Sequence, residues 1–142
     1  MSEARTASVF SWPVRVYYED TDAAGIVYYA SYLRFLERAR SEWLRTLGVE
    51  QGGLAHAQRI AFAVTRVEAD YLRPARLDDA LDVTVAVEEL GRARVRFAQT
   101  VLRRHETLLR ARIEVACLDA ARMLPTGIPA ELRRRMASSS IS

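Results

Sequence analysis

The chain has 142 residues, half of them hydrophobic and 27% charged, with a net charge of +3. That length suits one domain with one sizeable core, and no apolar run approaches the roughly 18 residues of a membrane span. The single cysteine, Cys117, excludes an internal disulfide and fits a reducing compartment.

The opening stretch "MSEARTASVFSWP" lacks the charged and apolar regions of a secretory signal, so the cytoplasm is the expected location. All 21 basic residues are arginine. They are interleaved with glutamates rather than clustered, which argues against a nucleic-acid partner. Only "RRR" at 133–135 is a run, and it reads as a solvated tail. The positive excess suits an anionic substrate or partner, though weakly.

In chain order, residues 9–18 read as a strand, with Trp12-Pro13 near its start. The run breaks at Glu19, Asp20, Thr21 and Asp22, followed by the small residues Ala23, Ala24 and Gly25. Tyr28 to Leu47 then read as one long helix. At 100° per residue, Tyr29, Tyr32, Leu33, Leu36, Ala39, Trp43, Leu44 and Leu47 share a stripe, and Gly48 is placed to cap its C-terminus. Arg40 interrupts the stripe, so it must snorkel outward or find a partner, for which Glu37 is available.

A loop at 48–58 carries His56. Residues 59–72 read as a strand ending at "LRP", where Pro74 requires an edge or an end. Alternation at Leu81, Val83, Val85 and Val87, then at Val95, Phe97 and Val101, then from Leu109 to Cys117, gives three more strands. The turns "ELGRA" and His105-Glu106-Thr107 join them as antiparallel hairpins. "LPTGIP" and "AELRRRM" suggest an irregular segment or short helix, with 1–8 and 137–142 expected to be flexible. The whole, 1–142, is expected to be one α+β domain: a five-stranded antiparallel sheet wrapped around one long helix.

Candidate chemistry narrows to carboxylates. His56 and His105 lie in loops, and Cys117 sits on the inward face of a strand, where a core role outweighs a nucleophilic one. No metal-ligand spacing and no glycine-rich phosphate loop is present. Asp20 and Asp22 alternate, so they point to opposite sides and only one can face a site shared with the helix. On spacing alone, a turn or helix cap is the better reading of either. The alternative rests on the helix start, whose free N–H groups would polarise a carbonyl beside an acting carboxylate.

The segment "WPVRVYYEDTDAAGIVYYASYLRFLERAR" closely resembles the signature of hotdog-fold acyl-CoA thioesterases of the 4-hydroxybenzoyl-CoA thioesterase type. Within that group it looks most like the YbgC branch, associated with the Tol-Pal system. The resemblance implies the hotdog fold and hydrolysis of an acyl-CoA to a carboxylate and a free thiol. It implies Asp22 as nucleophile or general base and the backbone N–H of Tyr29 as donor to the thioester carbonyl. Gly25, Tyr28 and Tyr32 become candidate substrate contacts, and Asp20 a structural residue. Many YbgC-type proteins read "VYHA" where this chain reads "VYYA".

No cofactor or metal is implied, coenzyme A being part of the substrate. Expected partners are acyl-CoA, an acyl carrier protein, and further copies of the chain in a dimer or tetramer, with a position beside the inner membrane compatible with the branch. Two rivals remain. A hotdog dehydratase would want a histidine near the helix, and none is there. A non-catalytic acyl-binding or envelope-assembly module would leave Asp22 without a use.

Overall fold

The computed structural model describes residues 9–48 and 59–139. Strand β1 (Phe10–Arg15) leads through a 3-10 turn at Tyr18–Asp20 to helix α1 (Ser31–Thr46). Strands β2 (Ile60–Tyr71), β3 (Ala80–Leu90), β4 (Arg94–Arg103) and β5 (Glu106–Asp119) follow, and helix α2 (Ala130–Ser139) closes the order. The strands form one five-stranded sheet in the order β1-β3-β4-β5-β2, antiparallel at every pairing. This is the helix-wrapped α+β sheet expected from the alternating runs.

Both edges are explained by sequence. β1 is an edge strand, where Pro13 can be tolerated without a central ladder bond. β2 is the other edge, joined among the described residues to β5 alone. Irregularities at Val64/Arg66, Val87/Glu89 and Val101/Leu102 break the registers. Such bulges bend and twist strands, which lets the sheet curl around the helix.

The core lies between α1 and the concave face of the sheet. Tyr32, Phe35, Leu36, Ala39, Trp43 and Leu44 meet Leu81, Val83, Val85, Val95, Phe97, Val101, Leu109 and Ile113, all buried. Trp43 packs edge-on to Phe97 at 5.4 Å between ring centroids. Cys117 is fully buried, as the core reading expects, and burial pushes its thiol pKa up.

Three expectations are corrected. The helix begins at Ser31 rather than Tyr28, because the Tyr28 carbonyl accepts the Ser31 N–H and the Tyr29 carbonyl accepts the Tyr71 hydroxyl in place of helical i+4 donors. The buried stripe therefore centres on Phe35 and Leu36, while Tyr29 and Leu33 stay exposed. The arginine run is not a free tail. It lies in α2, the short helix that "AELRRRM" suggested, anchored by buried Leu132 and Met136. Arg133 donates to the Gly91 and Leu90 carbonyls, and Arg135 donates to the Leu47 carbonyl at 2.8 Å. His56 and residues 1–8 lie outside the described residues.

Arg40 neither snorkels nor hydrogen-bonds Glu37. Its guanidinium turns inward and donates to Gln99 Oε1 at 2.9 Å. The amide nitrogen of Gln99 donates in turn to the Leu36 and Thr84 carbonyls. Burial lowers the Arg40 pKa to about 10, with Glu37 partly opposing the shift. Gly48 adopts the left-handed conformation (φ +82°) that a helix C-terminus favours.

Candidate active site

Between the 3-10 turn and α1, the chain makes a small hairpin. Thr21 and Val27 form an antiparallel bridge. The Asp22 N–H donates to the Ile26 carbonyl at 2.9 Å, and the Gly25 N–H returns to the Asp22 carbonyl at 3.0 Å. Gly25 takes φ +81°, and a Cβ built there meets nothing within 4 Å. The turn thus uses glycine for its backbone conformation, not for space. Gly25 shapes the loop that presents Asp22.

The two aspartates have opposite environments, although Asp20 closes a 3-10 turn rather than alternating with Asp22 along an extended strand. Asp20 is 2% exposed. Its Oδ2 accepts the Tyr17 N–H at 2.9 Å, and its Oδ1 accepts Arg34 Nη2 at 3.1 Å. Both oxygens hold structure. Asp22 is exposed. Its Oδ1 accepts the Ala24 N–H at 2.9 Å, and among the described residues its Oδ2 has no hydrogen-bond partner. One oxygen orients the carboxylate while the other stays available.

The approach to α1 is tied down residue by residue. The Tyr28 N–H donates to the Asp20 carbonyl, and the Tyr28 carbonyl accepts the Ser31 N–H at 2.8 Å. That carbonyl shares a peptide plane with the Tyr29 N–H, so the N–H must point the other way. Among the described residues the Tyr29 N–H has no acceptor. An unclaimed donor near a helix start is suited to an oxyanion or a polarised carbonyl. Tyr28 and Tyr29 are exposed, their rings 4.8 Å apart.

Tyr32 is a buried part of the core whose hydroxyl accepts the Ala75 N–H at 2.9 Å. The Ala75 carbonyl accepts the Val27 N–H at 2.9 Å. A platform at residues 72–79 is thereby gripped at one peptide unit after another, and Asp79 holds it from beneath through the Arg76 N–H and Arg103. Tyr71, at the end of β2, was not singled out from the sequence. Its hydroxyl donates to the Tyr29 carbonyl at 2.9 Å. The only sequence signal was an aromatic residue just ahead of "LRP", where the strand had to end.

A shallow groove of about 340 Å³ runs past this cluster, lined by Ile26, Val27, Tyr29, Tyr32, Tyr71, Leu72, Arg73 and Pro74. It offers aromatic and aliphatic walls beside the Tyr29 segment, with one guanidinium nearby. Glu37 and Arg40 border a separate cavity of about 60 Å³ with Leu44 and Phe62. A free carboxylate oxygen and a free backbone donor on one short segment permit attack on, or water delivery to, a carbonyl carbon. No helix among the described residues is long and apolar enough to cross a membrane.

Comparison with known proteins gives the same direction. The thioesterase-like superfamily matches residues 16–136. The acyl-CoA thioesterase YbgC of Haemophilus influenzae is 48% identical over 124 residues, which cover 87% of this chain and 91% of that protein. The acyl-CoA thioester hydrolase YbgC of Escherichia coli is 44% identical over 123 residues, covering 86% and 91%. A crystal structure of a probable thioesterase from Bartonella henselae superposes with a TM-score of 0.82 at 34% identity, covering 85% of this chain and 99% of that one. With its helix-wrapped sheet and its match along residues 16–136, the chain belongs to the thioesterase-like superfamily and, within it, to the YbgC branch.

Proposed function

We propose that this thioester hydrolase acts on acyl-CoA, with Asp22 as nucleophile or general base and the Tyr29 N–H polarising the thioester carbonyl. The observation that carries the reading is the pair of groups without a partner among the described residues, Asp22 Oδ2 and the Tyr29 N–H, on a segment held at the Asp22, Ala24, Gly25, Val27 and Tyr28 N–H groups. In attack by the carboxylate, Oδ2 bonds to the carbonyl carbon, the carbon–sulfur bond breaks, and the coenzyme A thiolate leaves. Water then cleaves the resulting anhydride. In the general-base route, Asp22 takes a proton from water as that water attacks. Either route develops negative charge on the carbonyl oxygen, where the Tyr29 N–H is placed to meet it.

A second copy of the chain would complete the site. The site residues are exposed in the single chain, and a polarising donor works best with water excluded. The edge strand β2 offers unpaired backbone along its length, with Val64 and Val67 exposed at 49% and 42%. Pairing of two β2 edges would make a dimer, cover this apolar surface and bring a second copy to the strand that ends at Tyr71 in the groove.

The reading is tested by thiol release from short, long and aromatic acyl-CoAs and from acyl carrier protein thioesters, comparing the native chain with Asp22→Asn. Turnover on at least one thioester and a loss of about 10²-fold or more in the variant are expected. Full activity in Asp22→Asn would overturn the site. No turnover on any thioester would favour a binding module instead.

A further inference from the structure

We propose that Tyr71 is a positioning residue for the reaction, its hydroxyl fixing the backbone at Tyr29 so that the Tyr29 N–H is aimed at the substrate carbonyl. This rests on the reading of Asp22 and Tyr29 given above, and concerns a side chain outside the signature segment.

From Val27 to Ala30 four backbone groups are held by neighbours in the chain or by the 72–79 platform, while the Tyr29 and Ala30 N–H groups have no acceptor among the described residues. Val27 donates to Ala75, Tyr28 donates to Asp20 and accepts from Ser31, and Ala30 accepts from Leu33. The Tyr29 carbonyl is the exception, because its donor is a side chain 42 residues away, the Tyr71 hydroxyl. The Tyr29 N–H and carbonyl belong to the two peptide planes flanking one Cα. Ser31 fixes the first plane through the Tyr28 carbonyl, and Tyr71 fixes the second. With both planes held, rotation about the Tyr29 φ and ψ is closed off and the free N–H keeps one direction.

Tyr71 itself comes from a rigid place. It makes the last rung of the β2–β5 ladder, opposite Leu109, and both the Leu72 and Arg73 N–H groups donate to the Leu108 carbonyl just beyond it. Its ring meets Tyr29 edge-on at 6.4 Å and Tyr32 edge-on at 5.5 Å. Tyr32 is in turn locked by its bond to Ala75. The sheet therefore delivers the hydroxyl to Tyr29 from a fixed backbone position, through a half-exposed ring that is steadied by its contacts with Tyr29 and Tyr32. Burial, with Tyr32 and Tyr29 nearby, raises the Tyr71 phenol pKa above its ordinary value, so the group remains an O–H donor at neutral pH.

Deleting one oxyanion donor costs about 10²–10³ in kcat, and loosening one should cost less. Tyr71→Phe keeps the ring contacts and removes only the hydroxyl. It is expected to lower kcat about tenfold while KM stays within about twofold. Replacing the Tyr28–Tyr29 amide by an ester removes the Tyr29 N–H itself, and in that background Tyr71→Phe should change kcat by less than about twofold. Unchanged kcat in Tyr71→Phe, a loss expressed mainly in KM, or a loss that multiplies in full onto the ester variant would each overturn the proposal. Asp22→Asn is measured in parallel. If it stays fully active the underlying site fails, whereas an inactive Asp22→Asn beside a fully active Tyr71→Phe removes only the role of Tyr71.

Discussion

Asp20 and Asp22 stand two residues apart with opposite environments. Asp20 is buried with both carboxylate oxygens bonded, to the Tyr17 N–H and to Arg34. Asp22 is exposed with one oxygen bonded, to the Ala24 N–H. The same residue type is thus fully bonded within the fold at one position and leaves an oxygen open to solvent at the other, where the proposed chemistry needs it. Asp20→Ala should cost about 2 kcal/mol of stability, since it strands a partly buried donor and frees Arg34. Asp22→Asn should cost no more than about 0.5 kcal/mol while abolishing turnover. Urea unfolding of the two variants, read beside thiol release, separates the roles, and equal destabilisation would contradict the assignment.

The Arg40–Gln99 pair should behave as one unit. Gln99→Leu leaves the Arg40 guanidinium without its buried acceptor and removes the side-chain donor that the Leu36 and Thr84 carbonyls share. A loss of about 3 kcal/mol is expected. Replacing both residues with apolar ones of similar volume, Arg40→Met with Gln99→Leu, should recover at least half of that loss. Denaturant midpoints of the two single variants and the double complete the cycle. Simple additivity would show that the two side chains do not depend on each other.

Acid should loosen the platform that carries Ala75. Burial tends to raise the Asp79 carboxyl pKa, but the Arg76 N–H and the Arg103 guanidinium outweigh it and hold the group below its ordinary value of 3.8. A carboxylate depressed in the folded state binds its proton more readily when unfolded. Its stabilisation is therefore fully present above the ordinary value and is lost as pH falls through the depressed one. Glu106, held down mainly by its hydrogen bond from Arg103, acts in the same sense. Asp79→Asn should lower stability at neutral pH and flatten its decline below about pH 4. Parallel decline in the native and variant proteins would rule this out.

The β2 edge can be tested directly. A lysine facing a would-be partner strand brings charge against charge across the two copies. Val67→Lys should shift the sedimentation profile from dimer to monomer and lower kcat/KM more than tenfold. A monomeric native protein with full activity would remove the need for a second copy.

Alternation and hairpin spacing made the sheet legible, because each strand's face is set by residues two apart along the same stretch. The helix start was less legible. Tyr28, Tyr29 and Ala30 look helical by period, yet the Ser31 N–H and the distant Tyr71 hydroxyl take the Tyr28 and Tyr29 carbonyls and keep this approach out of the helix. The same limit applies to Arg40, whose acceptor lies 59 residues away on β4. Asp22 itself stood out only through resemblance, since spacing favoured a turn residue. The structure shows the turn residue: the Ala24 N–H binds one oxygen, in the manner of an Asx-turn, and among the described residues the other is left unbound.

Arg135 also ties two ends of the chain's history together. Its guanidinium donates to the Leu47 carbonyl across 88 residues of sequence, where α1 ends with carbonyls that no helical N–H can reach. During synthesis, α1 is therefore complete in sequence long before the group that seals its last turn has been made. Until then the last turn of the helix that follows the Asp22 hairpin is closed only by local bonds at Thr46, Leu47 and Gly48, and the Leu47 carbonyl waits for the donor that α2 brings.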